Sequence, residues 1–572
     1  MLRTAPLLAA LVLVPIAGTA QSRPGNPLPV TGRSMVITKY GIVAASQPLA
    51  ARAGAAMLEQ GGNAVDAAIA TNAALGLMEP AMNGVGGDLF AMYYDAKTGK
   101  LYGLNASGWA ATGQTPELMA SKGVTRMPRR GIWTVTVPGA VAGWDALRTR
   151  FGTLPLATLL APAIRYAEDG FPVTEIIAEA WAPESTLLRA TPEAAATYLI
   201  NGKVPREGQL FRNPDLARTL RLIAQRGRDG FYAGPTAQAI LGTERANGGT
   251  MTAADLTSLE PEWVTPISVP YRGWTVYEMP PNSQGIGALM MLQMMEKFPL
   301  GDYGFHSTRA LHAMMEARQL AYADVLRYVG DPRISQIPVA DMLAPAHAAA
   351  RAGAIDATKA NCAVVPSDLA SVANKDGGDT IYLTVIDAAG NVVSFIQSNY
   401  SAFGSGLVPQ GAGFVLHNRG GLFTLEPGRA NTLAPHKRPL HTIIPGFMTK
   451  DSVHIGFGIM GGWNQAQAHA QFVSDIADYG MTIQQALEAG RFTKGNFEGC
   501  EFEIEGSVPA AVRDSLTQMG HILRVIRPRS GNFGWGQAVM SVAGGVHYGA
   551  SDPRHDGAAI PQMIPASDVV RR

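Results

Sequence analysis

A threonine that follows a Gly-Gly-Asp stretch is the residue best placed for catalysis. Thr380 opens a run of alternating residues typical of a β-strand, and this run turns between Asp387 and Asn391 and then returns. If the peptide bond between Asp379 and Thr380 is cut, Thr380 becomes a new chain start. It then carries both a hydroxyl nucleophile and a free amine that can act as its base. An unperturbed α-amine has a pKa of about 7.7–8.0, which suits a base at neutral pH.

The register of this hairpin places a second hydroxyl beside the first. Asp387 and Asn391 bracket a short turn, in which Gly390 suits a positive φ. Counting back along both strands from the turn sets Thr380 opposite Ser398, to within one bulge residue. Directly opposed β-carbons lie about 4.5–5.5 Å apart, so Ser398 is predicted to hydrogen-bond and orient the Thr380 side chain.

A glycine pair supplies a candidate oxyanion hole. Gly461 and Gly462 follow an apolar, strand-like run from Val453 to Met460. Because neither glycine has a side chain, their N–H groups can come close to the oxygen of an attacked carbonyl. Taken alone, a glycine pair after a strand is more often a turn, and a threonine at a strand start is usually only a strand residue.

Composition and the amino terminus indicate an exported, soluble enzyme. Apolar residues make up 47% of the 572, charged residues 16%, and the net charge is +1, which gives no electrostatic case for nucleic acid. Residues 1–20 have the charge, apolar run and small residues of a secretory signal cleaved after Ala20. No later run of about 18 apolar residues indicates a membrane span, so a periplasmic or secreted location is expected.

Export leaves the state of the two cysteines open. Cys362 and Cys500 could form one disulfide in an oxidising compartment, or could both remain unpaired, buried thiols.

The pattern of helices and strands predicts a layered α+β fold. Predicted helices flank paired hairpins in both halves, which favours antiparallel strands inside helical layers over alternating βαβ units. Residues 345–375 show little periodicity and are predicted to form an exposed, mobile linker that leads to Thr380. The predicted helices are Leu49 to Gln60, Ala64 to about Met78, Met251 to Leu256, Gly285 to Met295, Thr308 to Tyr328 and Ile483 to Ala489.

Many stretches of this chain occur in the order found in one family. These stretches are Ala45 to Ala50, Gln60 to Ala68, Asn83 to Asp88, Val137 to Trp144, Gly377 to Ser398, Phe403 to Gly406, Lys437 to Leu440 and Gly461-Gly462. Through them the chain resembles the γ-glutamyltranspeptidase family of N-terminal-nucleophile hydrolases over nearly all of its length after residue 20. The resemblance implies a four-layer αββα sandwich with two stacked, mainly antiparallel sheets.

The resemblance also implies self-processing. The precursor is expected to cut itself between Asp379 and Thr380 into a large subunit, residues 21–379, and a small subunit, residues 380–572, which remain together as a heterodimer.

The same resemblance assigns catalytic roles. Thr380 is expected to be the nucleophile for both scission and turnover, and Ser398 stands where the family places a supporting threonine. Gly461 and Gly462 stand at its oxyanion-hole pair. No cofactor and no metal is expected.

The substrate-binding positions depart from those of the family's transpeptidases. Those enzymes hold the glutamyl α-carboxylate with an arginine after the first hairpin, but Asn105 to Trp109 contains none. The acidic residue that holds the α-amine is replaced by Leu422, and an unpaired buried charge costs several kcal/mol. Arg419 and Arg129 are therefore alternative partners for a carboxylate, or else simply solvated surface charges. The full set of candidate substrate-binding residues is Tyr400, Arg419, His441, Thr442 and Arg129.

Aromatic side chains could widen this pocket. Tyr400 and Trp463 are candidates to line it, whereas Trp109 is expected to pack in the core.

The sequence therefore predicts an exported, autoprocessed amide hydrolase or acyltransferase that works through a threonine acyl-enzyme. Its expected substrates are γ-glutamyl compounds such as glutathione, or related carboxylated amides. One alternative is an acylase of the same family that does not use γ-glutamyl substrates, and a second is a non-catalytic binding protein with the same fold. The expected partners are a small-molecule amide and the two subunits of one precursor, without nucleic acid or membrane.

Overall fold

The structure is a computed structural model and describes residues 26–367 and 379–564. The predicted signal sequence, residues 1–20, lies outside these ranges. Within them, none of the helices combines the length and apolar character needed to cross a bilayer.

Strands and helices occur in short runs along the described chain. The strands are β1 (Val36–Thr38), β2 (Ile42–Ala45), β3 (Asp88–Asp95), β4 (Lys100–Ala106), β5 (Phe171–Pro172), β6 (Leu210–Phe211), β7 (Glu262–Val264), β8 (Ile267–Tyr271), β9 (Trp274–Glu278), β10 (Asp379–Ile386), β11 (Val392–Tyr400), β12 (Gly446–Lys450), β13 (Val453–Ile459), β14 (Phe492–Thr493), β15 (Glu501–Glu505), β16 (Ile522–Ile526), β17 (Gly536–Val542), β18 (Val546–Ser551) and β19 (Ala558–Pro561).

The helices are α1 (Pro48–Glu59), α2 (Ala64–Met78), α3 (Pro116–Ser121), α4 (Ala140–Phe151), α5 (Leu156–Asp169), α6 (Glu175–Trp181), α7 (Ser185–Leu188), α8 (Pro192–Tyr198), α9 (Pro214–Arg226), α10 (Asp229–Tyr232), α11 (Gly234–Ala246), α12 (Ala253–Thr257), α13 (Gly285–Met295), α14 (Leu300–Tyr303), α15 (Thr308–Tyr328), α16 (Val339–Met342), α17 (Pro345–Gly353), α18 (Asn464–Ala477), α19 (Ile483–Glu488) and α20 (Ala510–Gln518). Short 3₁₀ turns span Ile132–Thr134, Ala182–Glu184, Arg419–Leu422 and Gly531–Phe533.

Two seven-stranded sheets form the centre of the molecule. Sheet I has the strand order β1-β18-β17-β13-β12-β9-β8, and sheet II has the order β19-β2-β10-β11-β3-β4-β7. Neighbouring strands in both sheets are antiparallel. One apolar cluster fills the space between the sheets. Two larger apolar clusters lie outside it: one packs sheet II against its helices, and the other packs sheet I against its helices. The predicted αββα layering is thereby confirmed.

The β10–β11 hairpin has the predicted alternation and register. Ile381 packs toward the helices outside sheet II, whereas Tyr382 packs between the sheets. Ile386 pairs with Val392 at the turn, and the register holds back to Ile381, where a single shift follows. That shift is the predicted bulge beside Thr380.

Close approach of the sheets depends on a missing side chain. A β-carbon on Gly458 in β13 would lie 2.4 Å from the ring of Tyr382 in β10, so only glycine leaves room for that ring. This contact brings the end of β13, which precedes Gly461, close to the start of β10.

The amino-terminal helices also form as predicted. Asn63 caps α2 through a capping box with Asp66, in which each side chain accepts a hydrogen bond from the other residue's backbone N–H. The helix then runs to Met78, as its apolar composition indicates.

The predicted linker is wrong in its first part. Pro345–Gly353 forms α17, because a proline suits the first turn of a helix and Ala348 and Ala352 supply a buried face. Small alanines on that face leave only a weak apolar periodicity in the sequence. Residues 368–378 of the predicted linker lie outside the described residues.

The two cysteines are joined. Cys362 and Cys500 form a disulfide across a sequence separation of 138 residues, which resolves the alternative left open by the sequence.

Candidate active site

Two side chains, those of Ser398 and Gln465, hydrogen-bond to the hydroxyl of Thr380. Thr380 Oγ1 donates to Ser398 Oγ at 3.2 Å, as the hairpin register predicts. Gln465 Nε2 donates to Thr380 Oγ1, also at 3.2 Å. The backbone N–H of Tyr400 donates to Ser398 Oγ at 2.8 Å. All of these side chains are buried, so the Thr380 hydroxyl is held in one orientation.

Gln465 is a residue that sequence reasoning missed. It lies in the first turn of α18, and its Oε1 accepts a hydrogen bond from Ile444 N at 3.0 Å, which fixes the direction of its amide. The only sequence signal is a glutamine soon after Gly461-Gly462 in a helix that is buried on all sides. That signal does not indicate contact with a residue 85 positions earlier.

The glycine pair lies at the sharp connection between β13 and α18. Gly461 has a φ of 122° and Gly462 a φ of 57°, and L-residues rarely adopt such values. Gln284 Nε2 donates to Gly462 O at 2.8 Å, and Tyr322 Oη donates to Trp463 O. These contacts fix the two peptide groups between Gly462 and Asn464, and a hydrogen bond from Asn464 N to Gly461 O at 2.9 Å holds the peptide group that carries the N–H of Gly462.

A cavity of about 540 Å³ opens beside this loop. Its lining includes Gly461, Trp463, Ser401, Trp535 and Arg129. Thr380 itself is fully buried in the uncleaved chain, and it is not among the residues that line this cavity.

Four of the five predicted substrate-binding residues form a buried cluster beside this site. Arg419 Nη1 donates to Thr442 Oγ1 at 2.6 Å, and its guanidinium lies 4.6 Å from the centre of the Tyr400 ring. Its Nε lies 3.9 Å from Asp88 Oδ2, and Nε and Nη2 have no hydrogen-bond partner. His441 Nε2 donates to the same Asp88 oxygen at 2.8 Å.

Asp88 provides the negative charge of this cluster, and sequence reasoning missed it. Burial alone would raise the pKa of Asp88, yet His417, His441 and Arg419 together hold that pKa below its ordinary value. Burial lowers the pKa of Arg419 to about 10 and, with the nearby Arg419 charge, lowers the pKa of His441 to about 3. At neutral pH the cluster therefore pairs one carboxylate with one guanidinium, and His441 is neutral.

The predicted substrate-binding residues thus fall into two groups. Tyr400, Arg419, His441 and Thr442 are at most 4% exposed, whereas Arg129 is exposed and lines the cavity. Their contact with a substrate stays a prediction.

The two tryptophans with predicted roles lie in different environments. Trp463 lines the cavity, as predicted. Trp109 is 5% exposed and stacks on His436 with ring centres 5.0 Å apart, which is the expected packing role.

The neutral state of His441 predicts a loss of stability in acid. Because its folded pKa lies near 3, below the ordinary 6.5, the unfolded chain binds the proton first as the pH falls between these values. We expect His441→Gln, which keeps a donor for Asp88, to reduce the fall in unfolding free energy between pH 6.5 and 4 by at most about 3 kcal/mol.

Urea unfolding of both proteins at several pH values measures this difference. Asp88 does not contribute within that range, because a carboxyl with a lowered pKa loses its stabilising effect only below the ordinary value of 3.8. Parallel pH dependence in the two proteins would contradict the burial of a neutral His441.

Comparison with known proteins agrees with this geometry. The model of the γ-glutamyltranspeptidase family matches residues 50–562. A glutathione hydrolase-like YwrD proenzyme of Bacillus subtilis is 36% identical over 92% of this chain and 99% of its own length. An oxamate amidohydrolase proenzyme of Klebsiella pneumoniae is 34% identical over 91% of this chain and 98% of its own length.

A solved structure gives the same result. The cephalosporin acylase from Bacillus halodurans superposes with a TM-score of 0.86 at 39% identity, over 94% of this chain and 99% of that one. The chain described here belongs to the γ-glutamyltranspeptidase family of N-terminal-nucleophile hydrolases, and amidohydrolase chemistry is the activity that its relatives share.

Proposed function

We propose that this chain is an exported, self-processing amide hydrolase in which Thr380 forms a covalent acyl-enzyme. The observation that carries the proposal is the hydrogen-bonded chain from Gln465 through Thr380 to Ser398 at the start of β10. The disulfide between Cys362 and Cys500 supports export, because such bonds persist mainly in oxidising compartments.

Processing would begin with attack of Thr380 Oγ1 on the carbonyl carbon of Asp379. The carbon–nitrogen bond breaks, the nitrogen takes up the hydroxyl proton, and the large chain is held briefly as an ester on Thr380. Water then cleaves this ester, which restores the hydroxyl and leaves a carboxylate on Asp379. The product is a threonine with a free amine.

Turnover would repeat this chemistry on a substrate. The Thr380 amine accepts the Oγ1 proton while Oγ1 attacks the substrate amide carbon. Collapse of the intermediate breaks the amide bond, and the proton leaves with the departing amine. Water then attacks the acyl-threonine ester, releases a carboxylic acid and restores the Thr380 hydroxyl.

The surrounding donors would stabilise the charge that develops in these steps. The side-chain N–H of Gln465 donates to Thr380 Oγ1 and stabilises the partial negative charge that forms on this oxygen as the proton departs. The N–H groups of Gly461 and Gly462 are assigned to the substrate oxyanion, where loss of one donor costs about 3–4 kcal/mol in other enzymes.

We propose that the acyl group is a carboxylated chain bound in the open cavity. Arg129 is exposed there and offers a guanidinium to an anionic group, and Trp463 and Trp535 offer apolar surface. The cavity volume of about 540 Å³ admits groups larger than a glutamyl chain. Relatives named as an oxamate amidohydrolase and a cephalosporin acylase support an amide substrate without a γ-glutamyl group.

Hydrolysis of γ-glutamyl compounds is the second candidate. The name of the glutathione hydrolase-like relative favours it. A γ-glutamyl substrate also brings an α-ammonium, and the buried carboxylate of Asp88 is already paired with Arg419, His417 and His441. The two carboxylates that line the cavity are also paired, Glu184 with Arg130 and Glu503 with Arg524. Leu422 stands where the family places an acidic residue, so this second cation would lack a dedicated partner.

Processing predicts a pattern of bands that depends on reductant. Cys362 precedes the cleaved bond and Cys500 follows it, so the disulfide would join the two subunits covalently. We expect one species near 60 kDa on a denaturing gel without reductant, and bands of about 39 and about 21 kDa with reductant, at roughly 110 Da per residue.

Two variants test the two causes of this band pattern, which are cleavage before Thr380 and the disulfide. Thr380→Ala should give one band under both conditions, whereas Cys500→Ser should give two bands without reductant. Amino-terminal sequencing of the small band should begin at Thr380. A single band in reduced wild-type protein would instead support a non-catalytic binding protein with this fold.

The hydrogen bond from Gln465 to Thr380 predicts that loss of this glutamine side chain slows turnover. We expect Gln465→Leu to lower kcat about 3- to 10-fold, the value of one neutral hydrogen bond, with little change in KM. The matched control is Gln471→Leu, since Gln471 is a buried amide on the same helix that donates only to Gln467 O and Phe492 O. Equal loss of kcat per titrated active site in both variants would show general damage to α18 instead of a role at Oγ1.

Substrate choice is tested by two anilides that differ in one group. Glutaryl p-nitroanilide and γ-glutamyl p-nitroanilide share the carboxylate and the scissile bond, but only the second carries the α-ammonium. We expect kcat/KM to favour the glutaryl compound at least 10-fold, because the ammonium lacks a free acidic partner. Arg129→Ala should raise KM for the glutaryl compound, and preference for the γ-glutamyl compound would establish the second candidate.

A further inference from the structure

A cluster of two histidines and one glutamate lies away from the catalytic site. His312 and Glu316 lie one turn apart on the same face of α15, and His521 lies just before β16. One nitrogen or oxygen from each residue falls within 4.8 Å of the others. The three residues are 2%, 1% and 1% exposed, respectively.

Hydrogen bonds fix the protonation of the two rings. His312 Nε2 contacts the carbonyl oxygen of Asp356 at 2.7 Å, so Nε2 must carry the proton and donate it. His312 Nδ1 therefore holds a lone pair, and it accepts a hydrogen bond from His521 Nε2–H at 2.8 Å. His521 Nδ1 is then also a bare lone pair, and it has no hydrogen-bond partner.

Glu316 presents a second acceptor without a donor. Its Oε2 accepts from Asn361 N at 3.2 Å, whereas its Oε1 is buried and has no partner. Two buried acceptors, one from His521 and one from Glu316, thus lack donors in the same small volume. Leaving buried polar groups unsatisfied is unfavourable, and a cation between these two acceptors would satisfy both.

We propose that His312, Glu316 and His521 bind a divalent transition-metal ion, with Zn²⁺ as the best fit to two imidazoles and one carboxylate. Zinc accepts this donor set with a fourth position left for water. The proposed site also has the outer contacts that orient metal ligands, since Asp356 O holds the ring of His312 and Asn361 N holds the carboxylate of Glu316.

Neighbouring groups determine how readily the cluster could take up a cation. The lone pairs of His521 Nδ1 and Glu316 Oε1 have no donor, whereas the lone pair of His312 Nδ1 accepts the hydrogen bond from His521 Nε2, which an ion bound at His312 would replace. The Lys494 ammonium acts on His521 and Glu316, and its charge opposes a second cation. That ammonium also donates to the carbonyls of Glu498 and Gly499 at 3.0 and 2.9 Å, which disperse part of its charge.

The position of the site gives it a structural consequence. His312 and Glu316 precede the proposed scission point, whereas His521 follows it. The same region contains the disulfide and a hydrogen bond from Ala360 N to Met519 O at 2.8 Å. If the chain is cleaved as proposed above, a bound ion would connect the two subunits, but the metal site itself does not depend on that cleavage.

Cobalt is the probe for this site, because tetrahedral Co²⁺ ligated by histidine absorbs visible light and Zn²⁺ displaces it. The titration uses full-length Thr380→Ala protein after dialysis against a chelator, so that failure of catalysis or cleavage cannot affect the result. We expect one equivalent of Co²⁺ to bind, Zn²⁺ to compete, and Zn²⁺ to raise the melting temperature.

Three further variants, made in the same Thr380→Ala protein, test the ligands. Glu316→Gln and His521→Ala should each weaken Zn²⁺ binding at least 10-fold by calorimetry, and Glu316→Gln preserves the shape of the cluster if His521→Ala does not fold. His454→Ala is the control, since His454 stacks on Tyr94 outside the cluster. Absence of Zn²⁺ binding, or equal binding by Glu316→Gln, would overturn the proposal and leave a proton-sharing network of neutral side chains.

Discussion

The hydrogen bond between Thr380 and Ser398 depends on a carboxylate at the opposite end of the same hairpin. Asp387 Oδ1 accepts from Ala389 N and Asn391 N, which closes the turn in one conformation. Its Oδ2 accepts from Ala64 N, the first residue of α2, which ties the turn to the helical layer. A slip of one residue would send every side chain of β10 to the opposite face, and Thr380 would lose both its hydroxyl partner and Gln465.

Features set by local rules were predictable from the sequence. The turn after Asp387, the cap at Asn63 and the buried helix from Gly285 to Met295 each depend on residues within a few positions of one another. The pairing of Thr380 with Ser398 also belongs to this group, because the turn fixes the register of both strands.

Features that join distant elements were not predictable in the same way. Gln465 reaches Thr380 only because sheets I and II are stacked, and Asp88 meets Arg419 across 331 positions of the chain. In neither case does the sequence near one residue indicate the other. The helix α17 was missed for a different reason, since alanines bury a face without a strong apolar pattern.

The buried charges beside the site constrain how a substrate can be recognised. The charge of Arg419 is balanced by Asp88, and both groups are fully buried. A substrate carboxylate placed on Arg419 would have to compete with Asp88, which would then be left with neutral histidines as its partners. Arg129 is exposed at the cavity, so a substrate anion could reach its guanidinium from solvent. Recognition within the cluster would instead cost the contact between Arg419 and Asp88.

The order of strands would keep the molecule together if the chain is cut before Thr380, as proposed. In sheet II, β10 and β11 lie between β2 and β3, so strands from after the cut are hydrogen-bonded on both sides to strands from before it. In sheet I, β12 pairs with β9 and β18 pairs with β1, which repeats the arrangement. β19 also pairs with β2, so separation of the two parts would break five antiparallel ladders and expose the apolar layers that they hold together. The fold can therefore release a new amino terminus at its centre, because a single peptide bond contributes little to what keeps those layers in place.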